Sequence, residues 1–141
     1  MEDHPVGSET RIAIHAETDI VSARHKAREL AASLAFSNLD QTLLATAVSE
    51  LVRNIVVYAK DGEVLFDVIE VGGRQGVRVV VRDQGPGIAD PALAMRDGYS
   101  TTNSLGMGLP GAKRLVDEFT LATQAGKGTT VTMVKWQGRA S

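Results

Sequence analysis

Residues 82–88 have the sequence RDQGPGI, which places a carboxylate where an apolar strand runs into a turn. The preceding run is rich in valine, and β-branched runs of this kind are typical of a buried strand (Val77, Val79, Val80 and Val81). Gly85, Pro86 and Gly87 are typical of a tight turn. A turn needs glycine and proline but no acid, so Asp83 is the residue to be explained. By itself, the motif favours a plain turn in which Asp83 hydrogen-bonds its own backbone.

The composition limits what kind of protein surrounds this motif. With 141 residues, the chain suits one domain with one core, and we predict a flexible tail over 1–9 followed by a single domain over 10–137. The net charge of -2 excludes the basic field that nucleic acid or an anionic membrane would need. The absence of cysteine excludes disulfides and thiolate metal sites and is consistent with a cytoplasmic location. The sequence shows no signal peptide and no membrane-spanning apolar run.

Hydrophobic periodicity predicts the order strand, helix, helix, two strands, loop, helix, two strands. Short glycine-rich links indicate antiparallel hairpins within the strand pairs. This order favours an α/β (α+β) two-layer sandwich, in which a mixed or antiparallel sheet carries helices on one face. The predicted strands are 10–16, 63–71, 76–83, 120–126 and 128–136, and the predicted helices are 19–36, 40–59 and 109–119.

The stretch SELVRN, residues 49–54, places a carboxylate and an amide on one side of a helix. Glu50 and Asn54 are four residues apart, so their side chains lie above each other on the helix surface. An amide oxygen can coordinate Mg²⁺, and a carboxylate can take a proton from a hydroxyl. The alternative is an ordinary solvated helix face on which Glu50 and Arg53 are merely exposed.

Two further motifs contain glycine or threonine at the border of an element. Gly106, Met107 and Gly108 precede a helix, where glycine lets phosphate oxygens approach the backbone. This pattern is weak alone, because glycines precede many helices. Thr129 opens the last strand after a glycine, and its hydroxyl could support a base; a simple hairpin explains it equally well.

Taken together and in this order, the four motifs resemble the ATP-site motifs of the GHKL superfamily, which includes gyrase, Hsp90, the histidine kinases and MutL. The resemblance covers about Arg11 to Trp136 and implies the Bergerat ATP-binding fold. The segment between Asp83 and Gly106 is short. In this length the chain resembles the anti-sigma-factor-type serine/threonine kinases. It is most similar to the branch of the stressosome switch kinases in two stretches, DGYSTTNSLGMGLPGAKRLVDEF and GKGTTVTMVKW. The segment IVVYAKDGEV after Asn54 lacks the Asn-Ala-His type of continuation common among anti-sigma factors, which favours that branch.

The resemblance implies a role for each matched residue. Glu50 is implied to be the catalytic base, Asn54 the Mg²⁺ ligand and Asp83 the residue that holds adenine, with Thr129 behind it. A lid is expected over about 90–107. The residues implied to shape the pocket and the phosphate cradle are Gly85, Gly87, Gly106, Met107 and Gly108, and those implied for the lid are Tyr99, Ser100, Thr101 and Thr102.

The implied activity is transfer of the γ-phosphate of ATP to STAS-domain proteins, RsbS-like and RsbR-like, followed by activation of a PP2C-type (RsbU-like) phosphatase. One alternative is an anti-sigma factor kinase that binds a sigma factor directly. Another is an ATP-binding partner-switch module without catalysis, which the presence of both Glu50 and Asn54 disfavours. ATP turnover without an acceptor, as in gyrase-type relatives, is a weaker alternative.

Overall fold

The computed structural model describes residues 4–59, 61–84, 108–124 and 128–138. The element order matches the predicted one throughout these ranges. The elements are β1 (His4–Ile14), α1 (Glu17–Ser33), α2 (Asn38–Asn54), a π-helical turn (Ile55–Ala59), β2 (Gly62–Val71), β3 (Arg74–Asp83), α3 (Leu109–Leu115), β4 (Glu118–Gln124) and β5 (Gly128–Trp136).

The strands form one antiparallel sheet in the order β1-β2-β3-β5-β4. Alternate residues of the central strands are buried on the same face, and Phe66, Val79 and Met133 pair across β2, β3 and β5. These side chains share one hydrophobic cluster with buried residues of α1, α2 and α3. Helices therefore cover that face of the sheet, and the predicted two-layer fold class is confirmed.

The opposite face of the sheet carries a nearly buried ion pair between β2 and β3. Asp67 and Arg78 are direct register partners, and the Asp67 residue is 5% exposed. Arg78 donates from Nε to Oδ1 at 3.1 Å and from Nη2 to Oδ2 at 2.6 Å. A two-pronged contact of this kind satisfies both oxygens of a carboxylate that water hardly reaches.

Replacing Arg78 by alanine is expected to lower the free energy of unfolding by about 2–4 kcal/mol, because it leaves the Asp67 carboxylate buried without its partner. Urea denaturation measures the change. Arg82→Ala is the matched control on the same strand and face, because the Arg82 side chain is 47% exposed and its Nε lies 3.4 Å from Glu63. We expect the control to cost less than about 1 kcal/mol, and equal losses in the two variants would contradict the prediction.

The first strand is longer than the sequence predicted. Residues 1–9 were expected to form a flexible tail, whereas β1 already begins at His4. The backbone of His4, Pro5 and Val6 is in register with β2, and a bulge separates this part from the pairing that resumes at Thr10. Backbone pairing does not require apolar side chains, so the polar composition of this segment gave no signal.

The helix that follows the predicted lid is shorter than expected. It was predicted to reach Phe119, but α3 ends at Leu115 and β4 begins at Glu118. The Asp117 amide donates to the Val134 carbonyl, and Phe119 is in register with Met133. Pairing with β5 therefore overrides the helical pattern, and Phe119 packs against the core from a strand instead.

Within the described residues, the continuous helix Asn38–Ala59 is long and apolar enough to cross a membrane by length and composition. Its apolar side chains lie in the protein core, as in the central helix of a folded domain (Leu44, Ala47, Val48, Leu51, Val52 and Ile55). The predicted helix over 40–59 is thus confirmed, with its last turn widened into the π-helical turn.

Candidate active site

The end of α2, the ends of β3 and β5 that pair with each other, and the start of α3 surround one cavity. Three of the predicted site residues, Asn54, Asp83 and Thr129, line it together. They are far apart in the sequence, so the fold brings them into one place. The other lining residues are apolar: Leu51, Ile55, Val81, Leu109 and Val131.

Asp83 and Thr129 are direct register partners at the edge of this cavity. Gly128, with a φ of 103°, makes their close approach possible, because a Cβ there would lie 2.1 Å from the Asp83 carbonyl oxygen. Thr129 is buried, and its hydroxyl lies 3.0 Å from the Thr123 hydroxyl on β4. The register pairing ties the end of β3 to β5 and sets the position of the Asp83 backbone, and the hydroxyl contact ties the same end of β5 to β4.

The apolar walls of the cavity were not predicted as site residues. Val81 and Val131 stand two residues from Asp83 and Thr129, so on a strand they share the face of those two polar residues. Counting in steps of two from each polar residue could therefore have found them. The chemistry of this lining, apolar with one carboxylate, suits contact with a planar ring and a hydrogen bond from an amino group on that ring.

The π-helical turn after Asn54 directs Ile55 into the cavity. Ile55 is 1% exposed and packs directly against the start of β2. A Cβ on Gly62 would lie 2.9 Å from the Ile55 side chain and 2.5 Å from the Arg82 carbonyl oxygen. Gly62 is thus required for the turn to pack on the sheet. Single π turns often occur at functional sites.

Glu50 and Asn54 meet the start of α3 at Gly108. Gly108 has a φ of 87°, and a Cβ there would lie 3.0 Å from Glu50 Oε2 and 3.9 Å from the Asn54 amide nitrogen. The predicted site residues Glu50, Asn54 and Gly108 thus lie close together, and Asn54 also lines the cavity. The Glu50 side chain is 40% exposed, and its Oε1 lies 3.6 Å from Nη1 of Arg53.

Replacing Gly108 by alanine is expected to lower the free energy of unfolding by about 1–2 kcal/mol, because L-residues are strained at this φ. The new methyl group would also displace the Glu50 carboxylate, so we expect phosphotransfer to fall. Gly111→Ala is the control within α3: no atom lies within 4 Å of its Cβ position, and alanine favours the helix. Urea denaturation and a phosphotransfer assay measure the two effects. Equal stability and equal phosphotransfer in the two variants would contradict the prediction that Gly108 is needed for its positive φ and for its contact with Glu50.

Several predicted site residues lie outside the described residues. Gly85, Gly87, Gly106 and Met107 belong to this set, together with the predicted lid residues Tyr99, Ser100, Thr101 and Thr102. Their roles stay predictions.

A metal at this site would need to use few protein ligands. In the ranges that the structure describes, no group of three or more histidine or acidic residues could hold a metal ion. Mg²⁺ commonly binds through one or two protein oxygens together with substrate phosphates and water. The Asn54 amide, which lies close to Gly108, suits that kind of site.

The chain belongs to the histidine kinase-like ATPase domain family, whose model matches residues 14–135. It is 46% identical over 125 residues to the serine/threonine-protein kinase RsbT of Bacillus subtilis. The aligned region covers 89% of this chain and 94% of that protein. It is 32% identical over 122 residues to the anti-sigma F factor of Caldanaerobacter subterraneus subsp. tengcongensis, covering 80% of this chain and 85% of that protein. The anti-sigma F factor of a Thermoanaerobacter species is 31% identical over 122 residues, covering 79% and 84%.

These comparisons confirm the predicted resemblance to the GHKL superfamily and to RsbT in particular. The predicted class of enzyme, an ATP-dependent serine/threonine protein kinase, is also confirmed.

Proposed function

We propose that this kinase uses ATP with Mg²⁺ to phosphorylate a hydroxyl group on a STAS-domain protein. The observation that carries the proposal is the convergence of Asn54, Asp83 and Thr129 on one cavity. The Glu50 side chain, on α2, approaches Gly108 at the start of α3 beside Asn54 and is 40% exposed, which supports a role for it towards an incoming hydroxyl.

The apolar cavity is the proposed adenine site. The Asp83 carboxylate would accept a hydrogen bond from the exocyclic amino group, and Thr129 would support the base from behind. Val81 and Val131 would contact the ring, because both line the cavity on the same strands as these polar residues. Burial of a planar ring against apolar side chains would supply most of the affinity, while the carboxylate would select adenine.

The triphosphate is proposed to run from this cavity towards Glu50 and Gly108. Asn54 would coordinate Mg²⁺ through its amide oxygen. Bound Mg²⁺ neutralises the charge that develops on the phosphates during transfer. Gly106, Met107 and Gly108 are proposed as the phosphate cradle, and Gly85 and Gly87 are proposed to allow close approach of the nucleotide.

Glu50 is proposed to act as the general base. Its carboxylate would accept the proton of the acceptor hydroxyl as the hydroxyl oxygen forms a bond to the γ-phosphorus. The bond from the γ-phosphorus to the bridging oxygen would break, and ADP would leave with that electron pair. The protein's work in such a transfer is mainly positioning and charge neutralisation, so the location of Glu50 matters more than any covalent step.

The proposed partners follow from the similarity to RsbT over nearly the whole chain. The acceptors would be RsbS-like and RsbR-like STAS proteins in the cytoplasm. After their phosphorylation, the released kinase would bind and activate a PP2C-type, RsbU-like phosphatase. The second candidate is direct binding of a sigma factor, which the similarity to the anti-sigma F factors favours.

Incubation of the purified chain with Mg²⁺ and ATP labelled on its γ-phosphate tests the proposal. We expect label on a serine or threonine of an RsbS-like STAS protein, and a pull-down against sigma factors compares the second candidate. Direct binding of a sigma factor in that pull-down would favour the second candidate, an anti-sigma factor kinase. ATP hydrolysis without transfer to any protein would contradict both kinase candidates.

A further inference from the structure

Arg53 is an exposed cation beside the proposed base. Its Nη1 lies 3.6 Å from Oε1 of Glu50, and the two side chains are 52% and 40% exposed. Arg53 is not among the described residues that line the adenine cavity. Because the Arg53 side chain is 52% exposed, a protein that docks beside Glu50 can reach its guanidinium.

The two oxygens of the Glu50 carboxylate have different surroundings. Oε2 is close to the backbone of Gly108, where even a methyl group would come within 3.0 Å. Oε1 is the oxygen that Arg53 approaches. A hydroxyl that gives its proton to Glu50 has to come within roughly 3 Å of one of them. A hydroxyl that approaches Oε1 therefore comes close to the Arg53 guanidinium.

The present partner of Arg53 holds it weakly. A separation of 3.6 Å is longer than a normal hydrogen bond, and exposed ion pairs three residues apart on a helix contribute little to stability. Arg53 can therefore leave the Glu50 carboxylate and bind a carboxylate of another protein at little cost in free energy. The planar guanidinium can bind a new carboxylate through two parallel hydrogen bonds, which also fixes the orientation of the group it binds.

We propose that Arg53 recognises the acceptor protein by binding an acidic side chain next to the hydroxyl that is phosphorylated. In doing so it leaves Glu50, and Oε1 becomes free to take the proton. Docking of the acceptor and exposure of the base are thus one event. This inference rests on the proposed function, because it assigns to that same site the charge of its protein substrate.

The test uses a STAS-domain protein that the wild-type kinase phosphorylates. Arg53→Ala is expected to raise KM for that protein at least about tenfold, because one member of an interfacial charge pair is lost. Direct titration of the STAS protein in the presence of a non-hydrolysable ATP analogue should show a matching loss of affinity. Affinity for the analogue itself should change by less than about fivefold, since only an exposed ion pair is removed. Arg53→Lys should recover part of the loss, because it keeps the charge without the planar fork.

Arg28→Ala is the matched control. Arg28 is an exposed arginine on α1 whose Nη2 donates to the Thr42 hydroxyl, in the first turns of α2 and away from Glu50. We expect KM for the acceptor to be unchanged in this variant.

Charge reversal identifies the partner group. Arg53→Glu is expected to lose acceptor binding, and one acceptor variant that carries lysine in place of an acid near the phosphorylated residue should restore it. An unchanged KM in Arg53→Ala overturns this inference alone. A loss confined to kcat would also overturn it, because it would place Arg53 on the transferring phosphate instead. Failure of the wild-type chain to label any STAS protein would overturn the proposed function, and this inference with it.

Discussion

Replacing Glu50 by glutamine is expected to leave ATP binding intact and to lower the rate of phosphotransfer by about 10²–10⁴-fold, the usual contribution of a general base. The amide has nearly the same shape as the carboxylate but cannot accept the proton of the acceptor hydroxyl. Nucleotide affinity should persist because Glu50 is not among the described residues that line the cavity. Single-turnover transfer of labelled phosphate and titration with a fluorescent ATP analogue measure the two quantities separately.

Glu29→Gln controls for the loss of a surface carboxylate. Glu29 is exposed on α1 and pairs with Lys26 there. This variant should transfer phosphate at the wild-type rate. Full activity in Glu50→Gln would remove Glu50 as the base, whereas loss of nucleotide binding would show that its role is structural or electrostatic at the phosphates.

Local sequence patterns drew attention to those proposed site residues that lie at the end of one helix or one strand. Asp83 was found because a valine-rich strand ended in an acid, and β3 does end at Asp83. Glu50 and Asn54 were found because four residues span about one helical turn. The placement of these side chains follows from the periodicity of one helix or strand, whereas their roles were implied only by the resemblance that the four motifs carry together.

The remaining features depend on pairing between distant parts of the chain. The cavity exists because β3 pairs with β5, which sets Asp83 opposite Thr129, and no local pattern specifies that register. Pairing of β4 with β5 likewise turns residues after Leu115 into a strand although their spacing is helical. Arg53 was interpreted only as an exposed residue, although its spacing of three residues from Glu50 makes the two side chains neighbours on the surface of one helix.

Replacing Asp83 by alanine is expected to weaken ATP binding by about tenfold to a hundredfold, the usual effect of losing a hydrogen bond to a charged group. Isothermal titration measures the affinity, and thermal unfolding checks that the sheet is intact. Asp61→Ala is the matched control: Asp61 is exposed just before Gly62, the register partner of Asp83, and it pairs with His15. Its loss removes a carboxylate from the same end of the sheet, and ATP affinity should not change.

Asp83→Asn separates recognition of adenine from a general loss of charge. A carboxylate accepts from the amino group of adenine and repels the carbonyl oxygen that guanine carries in its place, so the wild-type chain should strongly prefer ATP to GTP. An asparagine amide can rotate to donate to that oxygen or to accept from the amino group. The preference should therefore shrink in this variant, through weaker ATP binding and stronger GTP binding together. An unchanged ratio of the two affinities would mean that Asp83 does not contact the base, and the cavity beside it would then need a different ligand.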